Sequence, residues 1–278
     1  MSTFRKIAED FALMGKRLLE RAEKTWRLAT SPLRELPNVV IIGTQKGGTT
    51  SLYHYLCQHP RIGGALSKEL HYFNLEYKKH RLWYRSNFDL QGNRISLEAT
   101  PDYIFDENTL WRMSRLIPEA KLIAVLRDPV SRAYSQYNHV QRGMGNWGAD
   151  PRSFEEAVQA DIRFARENRV IGRSEYEDIF HSYVRRGIYA PQIRRFKKVY
   201  GDQLLVLRSE DLFSDPNGFV NSIFEWLGIE QRDLQITQKY GRGNYKKEVP
   251  MRKELEDFFE PHNRKLYELL GVKEWWSY

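Results

Sequence analysis

The chain has 278 residues, 41% hydrophobic and 29% charged, and no apolar run approaches the length of a membrane span, which fits an ordinary soluble globular protein. Cys57 is its single cysteine, so an intrachain disulfide framework is excluded and redox chemistry is not expected. A formal charge of +8 and a pI near 9.4 favour an anionic partner such as a nucleotide, nucleic acid, acidic glycan or membrane surface.

Residues 4–28 place Phe4, Ile7, Phe11, Leu18 and Leu19 at helical spacing among charges, predicting an amphipathic helix that Pro32 and Pro37 close. Residues 1–30 carry seven basic and four acidic side chains. Contact with a membrane surface is one reading of such a helix, and packing on its own domain or a partner is the expected one. The same segment is charged throughout and lacks the apolar stretch of a secretory signal, so cytoplasmic residence is expected.

From Asn38 onward the runs "VVII", "RISLEA", "KLIAVL" and "QLLVL" alternate with amphipathic segments. That order predicts an α/β fold, a P-loop-like three-layer domain with a central, mainly parallel sheet flanked by helices. The expected organisation is an N-terminal helical extension over 1–37 and one domain over 38–278. Residues 141–182, rich in Gly and charge, are expected to form a lid or acceptor-side insertion. Near the end, Leu255, Phe258, Phe259, Leu266, Leu269 and Leu270 form a helical stripe that Pro261 is expected to break or kink.

Three segments carry chemistry. "GTQKGGTTS", residues 43–51, joins the first predicted strand to a helix. Gly43 and Gly48 have the spacing of a nucleoside-triphosphate loop, but Thr49 stands where that loop has its lysine, and Lys46 lies inside the turn. The backbone N–H groups from Gly47 to Ser51 can converge on an anion at the helix start, with the Thr49 and Thr50 hydroxyls as further donors. In "KLIAVLRDPVSRAYSQYNH", Asp128 caps a second helix, Pro129 takes its first position, and Arg127 sits at the carboxyl end of a strand, where α/β sheets bind ligands. Arg132 has the spacing to pair with Asp128. In "SKELHYFN", an extended backbone would put Glu69 and His71 on one face, where a carboxylate and an imidazole can take the proton of a hydroxyl. His54, Cys57 and His59 lack a fourth ligand at metal-site spacing, and no metal is expected.

Two other readings stand beside these. "VRRGIYAPQIRRFKKVY", residues 184–200, has six basic and no acidic side chains, as in a solvated helix face or a nucleic-acid-binding one. A non-catalytic nucleotide- or nucleic-acid-binding protein is therefore one alternative. An ATP-dependent kinase is another, with Asp128 holding magnesium; the missing closing lysine counts against it.

Taken in order over residues 38–276, these segments, with "LLVLRSEDLFSDP", "IFEWLGI" and "GRGNYKKEVP", resemble sulfotransferases that use 3'-phosphoadenosine 5'-phosphosulfate (PAPS), in particular the heparan sulfate and carbohydrate branch. The resemblance implies that Lys46, Gly47, Gly48, Thr49, Thr50 and Ser51 bind the 5'-phosphosulfate, and Arg127 and Ser135 the 3'-phosphate. It implies that Lys246 and Lys247 close over the nucleotide, that Glu69 is the catalytic base, and that His71 handles a proton or orients the acceptor. It further implies a hydroxyl acceptor on a glycan, 3'-phosphoadenosine 5'-phosphate (PAP) as product, and no metal or nucleic-acid partner. Glycan enzymes of the family often carry "EKTP" where this chain has "EATP", so Ala99 stands in place of a lysine beside Glu98.

Overall fold

The computed structural model describes residues 2–90, 92–143, 148–167, 172, 181–236 and 248–278, with side chains from residue 13 onward. The strands are β1 (Val39–Gly43), β2 (Ile62–Gly64), β3 (Ile95–Ala99), β4 (Lys121–Leu126) and β5 (Leu204–Arg208), in the spatial order β2-β3-β1-β4-β5. The described helices are α1 (Ser2–Ala29), α2 (Thr49–Leu56), α3 (Arg81–Arg85), α4 (Thr109–Leu116), α5 (Pro129–Gln141), α6 (Phe154–Glu167), α7 (Tyr189–Tyr200), α8 (Ser209–Ser214), α9 (Pro216–Leu227) and α10 (Arg252–Leu270).

Every neighbouring pair of strands is parallel, with Val39 of β1 opposite both Leu97 of β3 and Lys121 of β4. The four apolar runs are strands because both sheet faces are covered. Val40, Ile42, Leu122, Ala124 and Leu126 enter one apolar cluster, which Ile193 and Phe196 of α7 and Leu266 of α10 fill from above. Val39, Ile41, Ile123 and Val125 enter the other, against Leu52 and Leu56 of α2 and Ile223 and Phe224 of α9. This is the two-residue alternation of a pleated strand, and each such side chain contributes about 1.5–3 kcal/mol on full burial. Since the chain runs from β1 to β2 on one side and later crosses from β3 to β4 on the other side of β1, the loops at the carboxyl ends of β1, β3 and β4 meet over the sheet, where α/β folds bind ligands.

The remaining expectations meet the structure as follows. Pro261 lies inside α10, which runs unbroken because Leu255, Phe259 and Leu266 bury its stripe on either side of the missing N–H. The amphipathic helix is present, and among its described side chains Arg27 ties its end to the body. Arg27 donates to the Ser86 and Phe88 carbonyls, each at 2.8 Å, whereas Leu18 and Leu19 of the expected apolar stripe are exposed. Within 141–182, α6 packs Phe154, Val158 and Ile162 against Val130 of α5, and much of the rest of that segment lies outside the described residues. No described helix is long and apolar enough to cross a membrane.

Candidate anion-binding and acceptor site

The turn after β1 is anchored to β4 before it reaches α2. Thr44 N–H donates to the Val125 carbonyl and Gly47 N–H to the Thr44 carbonyl, both at 2.9 Å. A Cβ on Gly47 would lie 2.4 Å from the Val125 oxygen, so only glycine lets the turn approach the sheet this closely. Gly48 begins α2 at φ 93°, a left-handed conformation suited to glycine, without a side-chain cap. The first-turn N–H groups of α2, which carry the hydroxyls of Thr49 and Thr50, therefore form an anion-attracting helix start. Gly47→Ala is expected to lower stability by about 1–3 kcal/mol through this forced contact, read as a lower denaturation midpoint at unchanged slope.

Lys46 stands at φ 68° and its carbonyl accepts from Arg127 Nη1 at 3.2 Å, which ties the first turn to the end of β4. Arg127 is held in turn through its own carbonyl, which accepts from the Tyr189 hydroxyl at 2.8 Å. Burial, and next the Arg127 and Arg142 guanidinium groups, lowers the Lys46 ammonium to about 8, against the pull of Glu69. A buried ammonium with guanidinium groups beside it forms a site that an anion would relieve.

Asp128 caps α5 as expected, accepting from Val130 N–H at 3.3 Å and Ser131 N–H at 3.0 Å. Its carboxylate also accepts from the Tyr278 hydroxyl at 2.9 Å, which leaves a magnesium-holding role without support. Arg132 does not pair with it. That side chain is fully buried and bonds Gln136 Oε1 at 2.7 Å and the Tyr183 carbonyl, because it points inward from α5 while the cap faces the strand end. Ser135 lies further along α5 and is buried.

The segment holding Glu69 and His71 is not extended: the two residues adopt φ 65° and 51°, so the period-two argument fails although its outcome survives. Glu69 N–H donates to the Ala99 carbonyl at 2.9 Å, which pins the turn to the carboxyl end of β3. His71 Nε2 then comes within 3.9 Å of Glu69 Oε2, and Lys68 bonds the other Glu69 oxygen. On its far side, His71 Nδ1 lies 3.8 Å from Asp102 Oδ2, and Asp102 Oδ1 accepts from the buried Arg186 at 2.7 Å. Lys46, Glu69 and His71 are three of the four non-glycine residues at positive φ among the described residues. Such backbone costs about 1–3 kcal/mol each and concentrates at functional sites.

His139 and Arg142 belong to this site and were not singled out from the sequence. Burial first, then Lys46, lowers the His139 imidazole pKa, while Glu69 and Asp102 raise it. Ser131, Ser135, His139 and Arg142 recur every three or four residues, the period of one helical face, and that signal would have found them. Lys246 and Lys247 lie outside the described residues, as does Trp147. Tyr84 is fully buried. In the 184–200 run, Arg185 pairs with Asp161 at 2.5 Å, Arg186 with Asp102, and Arg195 donates to the Ile104 carbonyl at 2.5 Å. Lys197 donates to the Leu269 carbonyl at 3.3 Å, so four of its six cations answer to internal partners, leaving less charge for a nucleic-acid face. His54 is exposed, while the ring of buried His59 packs on Phe224. Among the described residues no group of three or more His, Cys, Asp or Glu side chains could hold a metal ion.

A parallel sheet with an anion-attracting strand-turn-helix, a lysine inside the turn and a carboxylate beside it define a group-transfer α/β fold. The chain belongs to the sulfotransferase family, whose domain matches residues 36–277. It is 31% identical over 278 residues to mouse (Mus musculus) heparan sulfate glucosamine 3-O-sulfotransferase 3A1, covering 88% of this chain and 65% of that protein. It is 28% identical over 283 residues to the human (Homo sapiens) heparan sulfate glucosamine 3-O-sulfotransferase 6, covering 90% and 77%. The chain thus spans just under two thirds of the length of the mouse relative. A crystal structure of a sulfotransferase from Alicyclobacillus acidocaldarius superposes with a TM-score of 0.71 at 29% identity, over 86% of this chain and 97% of that one.

Proposed function

We propose that the chain transfers a sulfuryl group from PAPS to an acceptor hydroxyl on a glycan. The observation that carries this reading is Lys46, lowered to about 8 by burial first and then by Arg127 and Arg142, and electrostatically coupled to Glu69 across the carboxyl end of the sheet. Family membership supplies the reaction class, and the heparan sulfate relatives supply the glycan as acceptor class. PAPS, when bound, supplies the sulfuryl group and leaves as PAP. Its phosphosulfate fits the turn of Lys46, Gly47, Gly48, Thr49, Thr50 and Ser51, whose donors and helix start complement an anion; its 3'-phosphate fits Arg127 and Ser135.

Glu69 is exposed enough to meet an acceptor and takes the proton of its hydroxyl as the oxygen attacks sulfur in line. Lys46 holds its charge toward the phosphate oxygen that the sulfur–oxygen bond leaves behind. His71, between Glu69 and Asp102, orients the carboxylate or passes the proton onward. Ala99 is fully buried, so the lysine of "EKTP" relatives has no counterpart side chain here, and acceptor contacts fall to other groups.

Titration with PAP tests the donor half of this reading. PAP is expected to bind without magnesium, whereas tighter magnesium-dependent ATP binding would favour the kinase. Steeply salt-dependent nucleic-acid binding without PAP affinity would favour the nucleic-acid reading. The pH dependence follows from Lys46. Its free-site pKa lies near 8 and a bound anion raises it, so affinity is full below pH 8 and falls above it by up to about tenfold per pH unit. Lys46→Arg, which stays charged, is expected to flatten that fall in calorimetric titrations between pH 7 and 10.

A further inference from the structure

Glu98 is fully buried on β3, beneath the turn that carries Glu69 and His71, and three hydroxyls donate to its carboxylate. Its Oε1 accepts from the Thr100 hydroxyl at 2.7 Å and the Tyr103 hydroxyl at 2.9 Å, and its Oε2 from the Tyr84 hydroxyl at 2.7 Å. Burial pushes the carboxyl pKa up, and the three hydroxyls oppose that rise. All three hydroxyl-bearing residues also touch the turn. Thr100 Oγ1 faces the His71 N–H and Tyr103 OH the Phe73 N–H, each at 3.4 Å, while the Tyr84 ring stacks on Tyr72 at 4.2 Å and 8°.

A hydroxyl has one proton, and an ionised carboxylate can only accept. With their protons directed at Glu98, Thr100 and Tyr103 can offer the turn only lone pairs, which is what the backbone N–H groups of His71 and Phe73 require. Were either hydroxyl to rotate its proton outward, it would meet an N–H with another donor and leave that buried group unsatisfied. We propose that Glu98 is a positioning residue that fixes hydroxyl polarity beneath the turn, and through Thr100 and Tyr103 sets the placement of Glu69 and His71. The inference rests on the sulfotransferase reading for its effect on turnover, and on the hydrogen-bond geometry alone for its effect on the turn.

The substitutions rank by their acceptors. Glu98→Leu provides none, and misplacement of a base by about 1 Å can cost about a hundredfold; kcat is expected to fall at least tenfold with PAP affinity unchanged. Glu98→Gln can keep Thr100 and Tyr103 on its carbonyl oxygen and turn its amide nitrogen to Tyr84, so it is expected to restore turnover to within about threefold of the parent. Tyr103→Phe should lower kcat on its own and add little to Glu98→Leu, as expected for groups acting through one contact. Amide hydrogen exchange supplies a readout that needs no activity: His71 and Phe73 should exchange faster in Glu98→Leu and Tyr103→Phe, with Gly47 to Ser51 unaffected. Parent-like kcat and exchange in Tyr103→Phe would overturn the proposal, even if Glu98→Leu did not fold. So would Glu98→Gln as inactive as Glu98→Leu. A parent chain that transfers no sulfate would count against the sulfotransferase reading, and the exchange comparison would still decide the role of Glu98.

Discussion

Lys46→Ala is expected to lower turnover by a hundredfold or more while the chain stays folded. The ammonium belongs to the turn that leads into the anion-attracting start of α2, and loss of one preorganised donor commonly costs about 10²–10³ in kcat. Stability should change little, because two effects oppose each other. Alanine at φ 68° bears left-handed strain of about 1–2 kcal/mol, as the lysine already does, and removing the ammonium relieves its repulsion with Arg127 and Arg142. The contact that ties the two loops uses the Lys46 carbonyl and survives the change. Single-turnover assays with thermal denaturation on the same sample check both halves.

Glu69→Gln carries the second large effect. The amide keeps the size of the carboxylate and can still accept from Lys68, so the turn and its bond to the Ala99 carbonyl should persist. It has no basicity with which to take a hydroxyl proton, and general-base loss typically costs about 10²–10⁴. Donor affinity should rise or fall only slightly, since Glu69 acts on the anion site through its pull on Lys46 and His139, and on Lys46 it ranks below burial, Arg127 and Arg142. Unchanged PAP affinity with kcat reduced at least a hundredfold is the expected pair of results; equal losses in both would place Glu69 in donor binding.

The parts of this site that lie close in sequence were legible there. Apolar runs marked four of the five strands, and the displaced lysine in "GTQKGGTTS" separated this turn from a triphosphate loop. The Asp128 cap followed from Asp-Pro at a strand end. What escaped is set by distance along the chain. β2 is three residues long and gave no periodic signal. Arg186 reaches Asp102 across 84 positions, so its run looked like a solvated basic face. Sequence does not show the hydroxyls of Tyr84, Thr100 and Tyr103 gathered on Glu98. Glu69 and His71 converge through left-handed backbone, which residue types other than glycine do not announce. Pro261 does not break α10, because burial on both sides of it outweighs one lost N–H.

The central claim is tested most directly by incubating the purified chain with sulfate-labelled PAPS and a panel of glycans, lipids and phenols, with Glu69→Gln as the blank. Label passing to a glycan hydroxyl, magnesium-independent and absent from the blank, is the predicted result. Label reaching no hydroxyl acceptor while the folded chain binds PAP, or equal transfer by Glu69→Gln, would contradict the account.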